Sequence, residues 1–367
     1  KLVENVSRDD RGRIENGMRM LYKHFQLAPE LGSLLDPTTI KADAFTASFE
    51  ELQPILRKAL ENESDSWKKE RGVMASGIAK AGQLLAKKYT LQITNVPYLA
   101  RGNQDEILRN FCETYYTKSK NDLATVFIER CNKLCEKNGT LSFVLPQNWL
   151  FAISYKNLRE ELLNKNIWNC LVRLGSGAFE TITGEVVKPI LFISSLNNSL
   201  TNKQTDIQNP HIFCNLDVSN LNTAIDKSNK LKTCDIILLN QANQLLNPDA
   251  RVGLEMNHNL PLLSKYANCM VGIQTSDDLM FTMSFWEIGI INKQIWEFLQ
   301  GAPVELKLDA GSSWLVRWEE GNGLLHSLST SYPSKGLKAL GKDGIAIQRV
   351  GVIFAFSYKK ERFHQNI

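Results

Sequence analysis

The pattern of apolar and polar positions divides the chain into stretches of different rhythm. Residues 14–35 read as a helix followed by a short apolar segment that ends in Gly32-Ser33-Leu34-Leu35. Residues 42–88 read as helical, broken near Glu63-Ser64-Asp65-Ser66, where Ser or Asp can cap a second helix. From Tyr89 onward short apolar runs alternate with helices. A strand is predicted over 89–94. A periodic helix comes next over 122–137, with Leu123, Val126, Phe127, Cys131 and Leu134 on one face. A buried strand over 140–145, a helix over 155–164 and strands over 167–174 and 187–195 complete the series. The last two strands are joined by a turn containing Gly175, Gly177 and Gly184, with no helix between them, so they should pair antiparallel. The alternation as a whole predicts an α/β fold: a largely parallel sheet covered on both faces.

Beyond this region the texture changes twice. Residues 197–232 are rich in Asn, Ser, Thr and Lys and read as a linker or loosely packed insertion. After Gly272, Trp286, Trp296, Trp314 and Trp318 appear among frequent glycines, which marks a second, mixed domain. The expected divisions are a first domain over 1–200 with a helical insert at about 42–88, a linker or insertion over 201–270, and a second domain over 271–367.

Composition narrows the function classes. Apolar residues make up 43% of the 367 positions, and no run approaches the roughly 18–20 apolar residues of a membrane span. The first thirteen residues are polar and carry no apolar signal core, so a cytoplasmic location is expected. The chain also lacks an initiator Met, which fits an internal portion of a longer protein. Seven cysteines stand singly, without metal-ligand spacing, so no metal is expected. A net charge of +4, from 43 basic and 39 acidic side chains, points only weakly to nucleic acid.

The most informative segment is Thr94-Asn95-Val96-Pro97-Tyr98, directly after a strand. In open α/β sheets, ligands sit at the carboxyl ends of strands. The Asn95 side-chain oxygen and a backbone carbonyl are both acceptors, and together they could take the two hydrogens of a planar amino group. Its nitrogen would then be drawn toward tetrahedral geometry, and its lone pair exposed to a methyl sulfonium. Tyr98 offers a flat face to a base swung out of the stack.

This segment resembles the fourth motif of the amino-group DNA methyltransferases, Asn/Asp/Ser-Pro-Pro-Tyr/Phe, with Val96 where the first proline usually stands. Four further segments are similar to adenine methyltransferases of restriction–modification and BREX-like phage-defence systems. They are Lys120-Asn121-Asp122-Leu123 with Phe127-Ile128-Glu129-Arg130, Asn138-Gly139-Thr140, Pro146-Gln147-Asn148-Trp149-Leu150, and the run from Arg173 through Phe179 to Val187. The likeness covers about residues 28–195. It thins through Asn247-Pro248-Asp249 and residues 275–287, which look like the entry to a target-recognition domain.

The resemblance implies a Rossmann-like methyltransferase sheet, incomplete at its N-terminal side, with S-adenosyl-L-methionine as cofactor and double-stranded DNA as partner. It also implies a restriction nuclease or defence-system subunit, fused or separate. Asn95, Val96, Pro97 and Tyr98 would be catalytic, and Tyr98 and Phe179 would hold the flipped adenine. Ser33 would stand where the family has an acidic residue near the cofactor. The family's glycine-rich cofactor loop is not found, and it is expected before Lys1, leaving one sheet edge exposed.

Plainer readings stand beside these. Asp122 can simply cap its helix, Leu123 and Phe127 are core residues, and Trp149 packs against the sheet. The alternatives for function are methylation of a protein or RNA amine or amide, and a non-catalytic DNA-binding remnant.

Overall fold

A computed structural model describes residues 8–40, 47–52, 54–55, 77–78, 80–179, 187–196, 211–253, 261–270, 272–273, 275–301, 312–328, 344–347, 356–359 and 362–363. The middle of the expected helical insert (56–76), the turn around Gly184 and residues 197–210 lie outside them. The chain forms two compact units, Lys1–His258 and Asn259–Ile367.

The first unit contains, in order, α1 (Arg8–Phe25), α2 (Ala28–Leu31), β1 (Tyr89–Asn95), α3 (Glu106–Tyr115), α4 (Leu123–Leu134) and β2 (Cys135–Pro146). Next come α5 (Lys156–Lys165), β3 (Asn166–Arg173), β4 (Pro189–Leu196), β5 (Ile212–Asp217), α6 (Ala224–Leu231), β6 (Ile237–Asn240) and α7 (Gln241–Leu246). The six strands form one sheet in the order β1-β2-β4-β3-β5-β6. β1 is parallel to β2, and β3 to β5, while β4 runs antiparallel to both β2 and β3. The carboxyl ends of β1, β2, β3 and β5 therefore share one rim. The α/β class and the antiparallel closing pair agree with the pattern of the sequence, and the topology is Rossmann-like.

Alternation on β2 explains the packing. Leu141, Phe143 and Leu145 are buried, and they join Phe192 and Leu171 of the neighbouring strands under α4 and α5. Trp168 is the centre of this core, with Phe192 edge-on at 4.6 Å and Phe213 at 5.6 Å. On the opposite face Thr140, Ser142, Val144, Leu191 and Ile193 are only half-buried. Leu91 and Ile93 are 57% and 75% exposed there. Among the described residues the sheet is thus covered on one face, not both, and β1 is a free edge.

Residues 212–246 differ from the linker or insertion expected of them, since they add β5, α6, β6 and α7 to the same sheet. Their polar composition misleads because the buried polar groups are bonded. Gln241 accepts from the Trp168 backbone N–H (2.9 Å) and donates to Leu163 O (2.7 Å) and Asn166 O (2.8 Å).

A second apolar cluster joins α1, α3 and the outer side of α4 through Leu21, Phe25, Leu108, Cys112, Leu123 and Val126. The other compact unit has its own four-stranded sheet of β7 (Thr282–Ser284), β8 (Trp296–Gln300), β9 (Trp314–Arg317) and β10 (Arg362–Phe363), in the order β10-β8-β9-β7. Ile273, Phe281, Leu299, Val316, Trp318 and Leu325 fill its core.

Candidate functional site

The loop Asn95-Val96-Pro97-Tyr98 leaves the carboxyl end of β1 on the shared rim. Asn95 is exposed, and no hydrogen bond engages its amide among the described residues, so its oxygen is open to a donor. Val96 is 4% exposed and belongs to the main core. An apolar side chain that fills this niche is what the position requires, and Val satisfies it as Pro would. Pro97 is exposed. The Tyr98 ring packs against the same core, while its buried hydroxyl has no partner. Burial, and then the charge of Asp122, push this phenol up to about 12.

The far end of the loop is anchored to α4. Leu123 N–H donates to Leu99 O (3.0 Å), Arg101 N–H donates to Asn121 O (2.9 Å), and Ala100 bridges to Asp122. The nearly buried Asp122 carboxylate accepts from Ala124 N–H (2.9 Å), which caps α4. Burial pushes this carboxyl up, and the nearby backbone N–H groups of Ala124 and Leu99 partly offset it. The helix-capping reading of Asp122 is therefore correct, and its backbone also bridges the loop at Ala100. Leu123 and Phe127 are core residues, as expected. Trp149 is fully buried against Trp168 (5.8 Å) and Phe192 (5.4 Å).

Phe179 comes after β3 on the same rim, half-buried and in none of the hydrophobic clusters. The strands that lead to the two residues, β1 and β3, are three positions apart in the sheet, roughly 14 Å at ordinary strand spacing. The loops that carry Asn95 and Phe179 thus leave the sheet from one rim. Gly175 and Gly177, at φ +69° and +70°, let the turn before Phe179 press against the segment after β5. A Cβ on Gly175 would lie 2.7 Å from Ser219, and one on Gly177 only 2.1 Å from Asn222 O. That supporting segment is itself tied down. Asp217 pairs with Arg173 (3.1 Å), and the buried Lys227 ammonium donates to Val218 O and Leu221 O.

Two arginines carry structural roles that the sequence pattern did not announce. Arg130, 1% exposed, donates to Ser33 O (3.0 Å), Leu35 O (2.6 Å) and Leu85 O (3.1 Å) and pairs with Asp36 (2.9 Å). The exposed Ser33 therefore enters the fold through its carbonyl. Arg159, fully buried, donates to Trp149 O, Ala152 O and Asp249 O (2.7 Å each) and to Ala250 O (3.2 Å). It ties the Pro146-Gln147-Asn148-Trp149 segment to Asn247-Pro248-Asp249. A signal was present: each arginine occupies a position of its helix's apolar stripe, Arg130 seven residues after Leu123 and Arg159 four after Tyr155.

Comparison with known proteins bears on this same region. Residues 25–179 match the family described as Eco57I restriction-modification methylase. A stretch of 116 residues is 38% identical to the adenine-specific methyltransferase PglX of Lacticaseibacillus casei (strain Zhang), covering 32% of this chain and 10% of that protein. Over 175 residues the chain is 30% identical to the adenine-specific methyltransferase BrxX of Escherichia coli O9:H4 (strain HS), covering 48% of this chain and 14% of that protein. The matches thus span a small part of these relatives' length. Solved structures with some likeness include the ATP-dependent Type ISP restriction-modification enzyme LlaBIII bound to DNA (TM-score 0.48, 12% identity, 83% of this chain and 24% of that one). The Type IIL restriction-modification enzyme MmeI in complex with DNA is another (TM-score 0.49, 12% identity, 78% and 41%). Residues 25–179 are thus similar in sequence to the Eco57I restriction-modification methylases, and the resemblance to adenine-specific methyltransferases drawn from the motifs is borne out.

Proposed function

We propose that this chain is part of a DNA methyltransferase that modifies the exocyclic amino group of adenine at a defined site in double-stranded DNA, within a restriction–modification or phage-defence system. The observation that supports this most is the Asn95-Val96-Pro97-Tyr98 loop. It stands at the carboxyl end of a parallel strand, with its asparagine oxygen free and its far end anchored to α4. An adenine amino group is a poor nucleophile because its lone pair is conjugated into the ring. Asn95 Oδ1 and the Val96 carbonyl accept its two hydrogens and localise that lone pair on nitrogen. The acceptors act without reorganising, since Val96 is held in the core and Leu99 at the helix. Tyr98 and Phe179 hold the base.

The donor in this reading is S-adenosyl-L-methionine, which supplies an electrophilic methyl group. Among the described residues no glycine-rich turn joins a strand to a helix, so they do not form the cradle this cofactor needs, and Ser33 offers only an exposed side chain. The unit Asn259–Ile367 serves target recognition in this reading, and a nuclease or defence-system subunit, fused or separate, is the companion.

The test is methyl incorporation by the full-length protein into plasmid DNA, protein and RNA, with N6-methyldeoxyadenosine quantified after digestion. DNA adenine should be the acceptor. Asn95→Ala should lower the rate by about 100- to 1,000-fold while DNA affinity changes little, the cost of one positioned electrostatic contact. Methylation confined to protein or RNA, or near-normal turnover of the variant, refutes the reading.

A further inference from the structure

Lysine is seldom buried, yet Lys227 on α6 is 2% exposed. Its ammonium donates to Val218 O (3.3 Å) and to Leu221 O, both in the segment between β5 and α6. Val218 O also takes Leu221 N–H (3.2 Å), so the ammonium closes a tight turn from the inside. The start of the segment is fixed separately. Val218 N–H donates to Arg173 O (3.0 Å), and the Asp217 carboxylate accepts from Ser219 N–H (2.9 Å) and pairs with Arg173 (3.1 Å). The turn that follows β3 rests on this segment. A Cβ on Gly175 would lie 2.7 Å from Ser219, and one on Gly177 2.1 Å from Asn222 O. Main chain therefore meets main chain with no side chain between them to absorb a shift. Gly177 stands two residues before Phe179, and Asn222 directly follows Leu221.

We infer that Lys227 is a positioning residue for the flipped base: it fixes the segment over 218–222 against the Gly175–Gly177 turn and so sets where Phe179 meets the adenine. The inference rests on the proposed adenine methylation and on the base-holding role of Phe179 within it. One ammonium nitrogen carries three donors and can serve two carbonyls that converge on it. Met fills a similar volume and supplies none, so substitution removes the hold and keeps the packing.

The experiment compares wild type, Lys227→Met, Phe179→Ala and the double variant in the full-length protein, at a temperature where each is folded. The readouts are kcat on a paired adenine, kcat on an adenine opposite an abasic gap, and 2-aminopurine fluorescence at the target. Phe179→Ala should slow the paired substrate by about 5- to 100-fold. Lys227→Met should slow it by about 5- to 20-fold, since small misplacements are costly. Both should recover on the gapped substrate. The double variant should lie within about threefold of the slower single variant, because the two act on one contact. Losses that multiply in the double variant, or equal slowing on both substrates, would overturn the inference. If Lys227→Met does not fold, Lys227→Gln, which keeps a shorter neutral donor, takes its place in the same comparison. A wild-type protein that methylates no DNA adenine, or Phe179→Ala at the wild-type rate, would refute the underlying function or base contact and the inference with it. Wild-type behaviour of Lys227→Met beside an impaired Phe179→Ala would refute the inference alone.

Discussion

Replacing Arg159 by Met keeps the aliphatic reach of the side chain and removes every donor of its guanidinium. Trp149 O, Asp249 O and Ala250 O then lose their partner, while Ala152 O keeps the Tyr155 N–H (3.1 Å). Each unpaired buried acceptor costs about 1–3 kcal/mol, so the gross loss for three, toward the low end, is about 4 kcal/mol. Relief of a desolvated cation returns part of this, since burial already lowers the guanidinium pKa. A net loss of about 3 kcal/mol is expected, roughly a hundredfold in the local opening equilibrium. The loss should concentrate in the loop over 247–252, where Asp249 and Ala250 hold φ of 55° and 51°, conformations that persist only under restraint.

Hydrogen exchange reads this directly. The amides of Ala250, Arg251 and Val252 bond Asn247 O, Pro248 O and Leu150 O, and their protection should fall about a hundredfold. Amides in the centre of β2 should change far less. Arg159→Lys, with three donors but no planar fork, should fall between. If Arg159→Met leaves those three amides within about threefold of wild type, the guanidinium is not what holds the loop.

Two further outcomes are expected. Tyr98→Ala and Phe179→Ala should each slow methylation of a paired adenine more than of one opposite an abasic gap, because base–aromatic stacking of about 1–3 kcal/mol offsets the cost of unstacking. 2-Aminopurine at the target reports extrusion, and unchanged fluorescence and rate in Phe179→Ala would make it a packing residue. Gly177→Ala should displace the turn before Phe179, because its Cβ would meet Asn222 O at 2.1 Å in a backbone conformation that disfavours any side chain. Urea unfolding together with the same fluorescence should show a destabilised protein with weaker base extrusion, and wild-type values in both would mean the neighbouring loop yields freely.

The sequence by itself determined the local elements and the chemistry of the loop. Apolar spacing is a property of a few consecutive residues, so the strand before Asn95, the helix beginning at Leu123 and the antiparallel closing pair were all legible. Asn95 and Tyr98 were legible because their residue types carry the chemistry wherever the chain places them. Only the tertiary structure decided what depends on partners distant in sequence. β5 and β6 read as linker because their short apolar runs, Ile212-Phe213-Cys214 and Ile237-Leu238-Leu239, stand next to a stretch rich in Asn, Ser, Thr and Lys, and only pairing beside β3 makes them part of the sheet. The order β1-β2-β4-β3 makes the strands before Asn95 and Phe179 end on one rim, an arrangement no spacing rule reports. Arg130 and Arg159 stand on apolar helix stripes, but the sequence does not name their partners, which include main-chain carbonyls 97 and 90 residues away on segments that only folding brings together.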